Sequence, residues 1–250
     1  MTEVAAAPAV APSADELEFA SARRELASWQ GSLFKAGGVV FVLWHLWILL
    51  VSPIDPAIHR VVHVYGGAIL GLATFAAFGR ASARHVPWYD WVMMAGSVAI
   101  CGHFILDADG IEMRTFMGPS TLDVVIGVMM IVILLEFTRR AAGIAMPIIA
   151  LVFLAYPFIG PWLPGVLYHD GFRLDETIIF IATTEGILGT TTHVSATFII
   201  IFVAFASFLM VSRVGDYFND LAMAAVGWAS GGPAKVTVLS GALFGTISGS

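Results

Sequence analysis

Apolar runs long enough to cross a bilayer recur along the chain, at 34–52, 58–79, 88–106, 121–138, 142–159 and 193–212. A span needs about 20 such residues at 1.5 Å rise each. The breaks between runs carry turn chemistry: Pro53 and Pro56 close the first, and Pro87-Trp88-Tyr89-Asp90-Trp91 opens the third with an aromatic anchor. A charged loop holding Asp107, Asp109, Glu112 and Arg114 follows the third run, and Ser120-Thr121-Leu122-Asp123 reads as a capping box opening the fourth. Glu136 precedes Arg139 and Arg140 by three and four residues, the spacing of a local ion pair at a helix end. Pro147 and Pro157 lie near the ends of the fifth run and predict a bend.

Two stretches break the pattern. The run 178–182 is too short to span and passes into Thr183-Thr184-Glu185-Gly186-Ile187-Leu188-Gly189, which predicts a re-entrant or broken segment. The other stretch opens at Gly231-Gly232-Pro233 like a helix, runs apolar through 236–244, and is expected to dissolve at Gly245-Thr246-Ile247-Ser248-Gly249-Ser250. Between them, 216–228 is amphipathic and predicts a helix lying in the membrane interface. In the second run, Gly67 and Gly71 have the small-xxx-small spacing that admits a close helix neighbour, although a glycine-rich chain produces such pairs by chance.

Composition agrees with the pattern. The 250 residues are 58% hydrophobic and 12% charged, with a mean hydropathy of +0.88, against roughly 45–50% and 25% in soluble domains. The fold class is an all-α integral membrane protein, a multi-span helical bundle bound to the lipid bilayer. One cysteine, Cys101, excludes a disulfide framework and a CxxC metal site within the chain. Lys and Arg placement orients the bundle. With the N-terminus cytoplasmic, Arg80, Arg84, Arg139, Arg140 and Arg213 fall inside, whereas Arg60, Arg114 and Arg173 fall outside. Residues 1–30 are expected to be a disordered cytoplasmic tail.

The motifs Pro87–Trp91, Thr121–Gly127 with Leu135–Arg140, Thr183–Gly189 with Val194-Ser195-Ala196-Thr197, and Gly231–Ala234 with Leu243–Ser250 occur in the order found in one family. From about 86 to 250 the chain resembles a fused TRAP transporter permease of the TAXI type, its N-terminal portion. The resemblance implies a four-helix small-permease-like module at 31–140. It implies an incomplete large-permease-like module at 141–250, the start of an elevator-type permease ending in its first re-entrant helical hairpin. It further implies sodium-coupled import of small organic acids delivered by a periplasmic TAXI-type solute-binding protein, in a bacterial inner membrane. Gly245, Thr246, Ser248, Gly249 and Ser250 are carried over as a sodium and substrate half-site at the hairpin tip. Na⁺ is the coupling ion, no other cofactor or metal is implied, and no nucleic acid is involved. The remaining ligands are expected from C-terminal permease helices missing from these 250 residues, so that the chain alone would not transport.

Alternatives stay open residue by residue. Ser248 and Ser250 would equally serve helix–helix packing. Thr183, Thr184 and Glu185 form either a satisfied polar turn or a polar membrane site. An enzyme is not expected: an intramembrane serine hydrolase built on Ser248 and His193 lacks the G-x-S-G setting of such a nucleophile. Two further readings are an accessory or scaffold membrane protein without its own transport activity, and a bis-His haem cytochrome using His45, His63 or His103.

Overall fold

The computed structural model describes residues 24–77 and 84–248. Those residues are mostly helical, with no strand among them. In chain order the helices are α1 (Ser28–Leu50), α2 (Pro56–Thr74), α3 (Trp88–Met117), α4 (Thr121–Ala142), α5 (Ala145–Ile159), α6 (Leu174–Ala182), α7 (Thr190–Val194), α8 (Ile200–Val211), α9 (Val214–Val226) and α10 (Gly232–Ser248). A π-helical turn, Ser195–Ile199, joins α7 to α8. Among the described residues, five stretches are long and apolar enough to cross a membrane: Trp29–Leu50, Trp88–Arg114, Thr121–Ala142, Ala145–Trp162 and Thr190–Val211.

The chain divides into two compact units. The first holds residues up to Phe41 together with Ile54–Thr192; the second holds Val42–Pro53 and His193–Ser250. Within the first, α2 is the central helix. Asp55 caps it, accepting from the Ala57 and Ile58 amides at 2.8 and 3.1 Å, and Pro56 occupies the first turn, where its missing N–H costs nothing. Val61, Tyr65, Ala68 and Leu72 recur at helical spacing and are fully buried. They meet Ile100 and Phe104 of α3 and Ile126, Met130 and Ile133 of α4 in one core. The opposite faces of the spans, such as Val92, Val98 and Ile105 on α3 and Val125, Val128 and Val132 on α4, stay exposed as lipid-facing surface.

Charged residues lock both ends of the α3–α4 pair. At one end Asp90 is buried between Arg24, at 2.5 Å, and Arg140, at 2.7 Å. Arg140 also binds Glu136, which Arg139 holds with two N–H groups. The three arginines satisfy the last carbonyls of α2 and the chain beyond it: Arg24 donates to Leu72, Arg140 to Phe75 and Arg139 to Ala77. Cations at a helix C-terminus also complement its dipole. At the other end Asp123 accepts from Arg114 Nε at 2.7 Å and from the Ser120 amide and hydroxyl, and it pairs with His103 at 3.0 Å. Along α4 the clamps lie about 25 Å apart, from Asp123 to Arg140 at 1.5 Å per residue, close to the ~30 Å of a bilayer core.

Several expectations are corrected. Arg24 is buried rather than on a free tail, and the Gln30 side chain accepts from the Val86 amide at 3.1 Å, so the tail expected over 1–30 is packed from Arg24 on; residues 1–23 lie outside those described. The second run becomes helix only to Thr74, where Phe75 turns extended. The segment after Leu106, expected as a loop, is helical to Met117 beyond a break at Asp107 (φ −144°, ψ 38°). The local pairing of Glu136 and the Ser120–Asp123 capping box are present as expected. Of the glycine pair, Gly71 alone makes the close approach: a Cβ there would lie 2.0–2.9 Å from Phe137 ring carbons, whereas one at Gly67 would only touch Phe41 at 4.0 Å. Gly71→Ala is expected to lower stability by about 1–3 kcal/mol, the usual cost of overpacking. Phe137→Leu in the same chain is expected to recover part of the loss, read as the midpoint of thermal unfolding in detergent.

Candidate functional site

The sequence nominates two groups of residues, and they fall in different compact units. The first is the Thr183–Gly189 turn, in the larger unit. Helix α6 has 9 residues, so it reaches about 13 Å at 1.5 Å per residue and does not span. Its N-terminus carries an exposed Arg173–Asp175 pair at 2.8 Å, and the guanidinium holds the Asp175 carboxyl below its ordinary range. The helix packs on α4 where Gly127 leaves room: a Cβ on Gly127 would come within 2.6 Å of Ile178 and 3.3 Å of Ala182.

At Thr183 the backbone turns extended and α6 stops. The turn is knitted from its own backbone: Gly186 and Leu188 amides donate to the Thr183 carbonyl at 3.1 Å, Ile187 to Ile181 at 2.7 Å, and Gly189 to Gly186 at 3.0 Å. Thr183 is buried and donates its hydroxyl to the Phe180 carbonyl at 3.1 Å, and the Thr192 hydroxyl closes on the Ile187 carbonyl. Thr184 and Glu185 are exposed at its tip. The broken segment expected here is therefore present, with Thr183 serving the turn itself and Thr184 and Glu185 facing outward.

Gly186 makes this turn possible. A Cβ there would sit 2.2 Å from the Ile181 carbonyl oxygen and 2.5 Å from its Cα, which are backbone atoms and cannot swing aside. Gly186→Ala is expected to cost about 1–3 kcal/mol as forced overpacking. It is expected to raise proteolysis within 183–189 more than elsewhere, measured by mass spectrometry of the fragments.

The second group is at the C-terminal end of α10, in the smaller unit. Gly231 (φ 75°) precedes the helix, and Pro233 lies in its first turn as read from sequence. The expected dissolution at Gly245 is corrected: helical backbone continues through Gly245, Thr246 and Ser248. The reason is physical, since backbone groups within a membrane pair inside the helix unless protein or water replaces those bonds. Gly249 and Ser250 lie outside the described residues.

Of the histidines, His103 is engaged with Asp123, His63 stacks on Phe41 with centroids 6.1 Å apart, and His45 belongs to the smaller unit. No group of three or more His, Cys, Asp or Glu with metal-holding geometry occurs among the described residues.

Sequence reasoning missed Asp90, which is fully buried, and Arg60, whose Nη1 donates to the Leu188 carbonyl at 2.8 Å. Asp90 lay inside a motif read only for its aromatics. Arg60 lay near the start of a mainly apolar run, and an ionisable residue in that setting is a signal in itself.

These features define a multi-pass, all-helical membrane protein with a short non-spanning helix ending in a glycine-bearing turn. Residues 129–250 match the family model of the Tripartite ATP-independent periplasmic transporter, DctM component. That portion of the chain is similar to a transporter permease component, and the matched family is a transporter component rather than an enzyme. No curated protein and no solved structure matches the chain.

Proposed function

We propose that the protein is a membrane permease component of a TRAP transporter of the fused TAXI type, importing small organic acids with sodium. The observation that carries this reading is the family match over 129–250, which takes in the end of α4, the Thr183–Gly189 turn and α10. On this reading residues 31–140 form the small-component module and residues from 141 on the large-component module. The chain crosses the inner membrane with its N-terminus in the cytoplasm, in keeping with its basic residues. A periplasmic solute-binding protein presents the substrate.

Sodium is a hard cation satisfied by neutral oxygens. Carbonyls and hydroxyls at the end of α10, where the helix dipole is negative, fit that chemistry. Gly245, Thr246, Ser248, Gly249 and Ser250 form one half of the ion and substrate site in this proposal. The other oxygens come from elsewhere in the assembled transporter, because one helix end supplies too few. Thr183, Thr184 and Glu185 form a separate polar membrane site in this proposal, with Thr184 and Glu185 exposed at their turn and available to solvent or to partner groups.

The test is uptake. The transporter is reconstituted in vesicles with its binding protein, and entry of radiolabelled organic acids is followed under an inward sodium gradient. Accumulation is expected only when both the gradient and the binding protein are present. Uptake that persists with potassium in place of sodium overturns the coupling ion, and no uptake of any organic acid overturns the transport assignment.

A further inference from the structure

Arg60 is an arginine in the second turn of α2, with a target far away in the chain. Its Nη1 donates to the carbonyl of Leu188 at 2.8 Å, across 128 residues of sequence. The hydrogen bonds that knit the Thr183–Gly189 turn otherwise come from residues 180 to 192. Leu188 itself is fully buried in the core formed with Val61 and Tyr65 of α2. Arg60 therefore ties the polar side of the turn to the same helix that holds its apolar side.

The position is costly for an arginine. Nε–H of Arg60 is buried and finds no acceptor among the described residues, and such a group loses its hydration without return. If the side chain served only to fill space at this half-buried position, an apolar chain of similar length would do as well and would leave no buried N–H without an acceptor. What the apolar chain would lack is the donor to Leu188. Without it a buried carbonyl at the end of the turn loses its partner, and the turn is held by its own short-range bonds alone.

We infer that Arg60 is a positioning residue: from α2 it pins the Thr183–Gly189 turn through the Leu188 carbonyl and holds it in the geometry used during transport. The pinning is a mechanical statement about the turn. Its consequence for transport rests on the proposed function above, and the experiment separates the two.

The reporter is a spin label on Thr184→Cys, at the exposed tip of the turn, in a Cys101→Ser background. A second label on Val166→Cys, which is fully exposed outside the turn, serves as the control. With Arg60→Met the label at 184 is expected to become more mobile in its electron paramagnetic resonance spectrum, while the label at 166 keeps its spectrum. Arg60→Lys retains a donor and is expected to keep the wild-type spectrum at 184. An unchanged spectrum at 184 in Arg60→Met overturns the inference, as does equal loosening at 184 and 166. If Arg60→Met does not accumulate, Arg60→Lys decides: a wild-type spectrum supports the pin and a loosened one overturns it.

In the label-free chain, Arg60→Met is expected to lower the maximal uptake rate by about tenfold or more, the equilibrium factor carried by one charge-assisted hydrogen bond. The half-saturating substrate concentration is expected to stay unchanged, and Arg60→Lys to recover most of the rate. A wild-type chain that takes up nothing removes the transport reading and leaves the label comparison to decide the pin.

Discussion

Asp90→Asn is expected to destabilise the first compact unit by about 3–5 kcal/mol, the cost of removing one partner from a buried ion pair. Asp90 is fully buried, and the side chains of Arg24 and Arg140 are equally shut away from solvent. Its cluster holds three cations, Arg24, Arg139 and Arg140, against two carboxylates, Asp90 and Glu136. Asparagine keeps the shape and removes the charge, so the excess of one buried positive charge becomes two. The damage does not stay local. Arg24 and Arg140 also satisfy the Leu72 and Phe75 carbonyls at the end of α2, and repelling guanidiniums cannot all keep those positions. Unfolding by titration from mild to denaturing detergent reads the loss. Arg140→Met in the Asp90→Asn chain returns the balance to one excess cation and is expected to recover a substantial part of the stability. If the double variant falls as far as the sum of the single ones, charge balance is not what Asp90 provides, since sites in contact are expected to couple.

How far such a cluster is visible beforehand depends on the distance over which its partners act. The spans are legible because a bilayer demands long apolar runs, and the capping box at Ser120 and Asp123 because both its members lie within one turn. The Glu136 pairs with Arg139 and Arg140 are legible for the same local reason. The break in α3 at Asp107 falls where the apolar run ends, at Leu106, although helix resumes beyond it. Asp90 is different: its partners lie 66 residues before it, at Arg24, and on the next helix at Arg140, and nothing in Trp88-Tyr89-Asp90-Trp91 distinguishes a buried carboxylate from one at the membrane surface. The early end of α2 is hidden too, because side chains from remote segments cap it. The Gly186 turn was readable as a break from its composition, but its attachment to Arg60 was not. At the end of α10 glycine and hydroxyl residues point to loosened backbone, whereas the helix persists through Ser248. Gly costs a helix only about 1 kcal/mol per residue, and an unpaired backbone group in the membrane costs more.

At the opposite end of the α3–α4 pair, Asp123→Ala is expected to cost about 2.5–4 kcal/mol, the sum of a lost cap at ~1 kcal/mol and a lost charge-assisted contact at ~1.5–3 kcal/mol. Asp123 carries both roles at once. Its carboxylate accepts from the Ser120 amide at 2.9 Å and from the Ser120 hydroxyl at 2.7 Å, while the Asp123 amide donates back to that hydroxyl at 3.2 Å. The same two oxygens take Nε and Nη2 of Arg114, at 2.7 and 2.9 Å, and meet His103 of α3 at 3.0 Å. Arg114 is partly solvated and has Asp107 as a second partner at 2.7 Å, so losing Asp123 does not strand it as losing Asp90 strands Arg24 and Arg140. That is why the expected cost is smaller although more hydrogen bonds are lost. Asparagine separates the two roles, since it caps a helix about as well as aspartate but offers Arg114 no charge. Asp123→Asn is therefore expected to lose roughly the charge-assisted share alone, and adding Ser120→Ala to it to remove the cap as well. Should Asp123→Asn unfold as readily as Asp123→Ala in the same detergent titration, the ionic contact to α3 accounts for the whole effect and the cap for none of it.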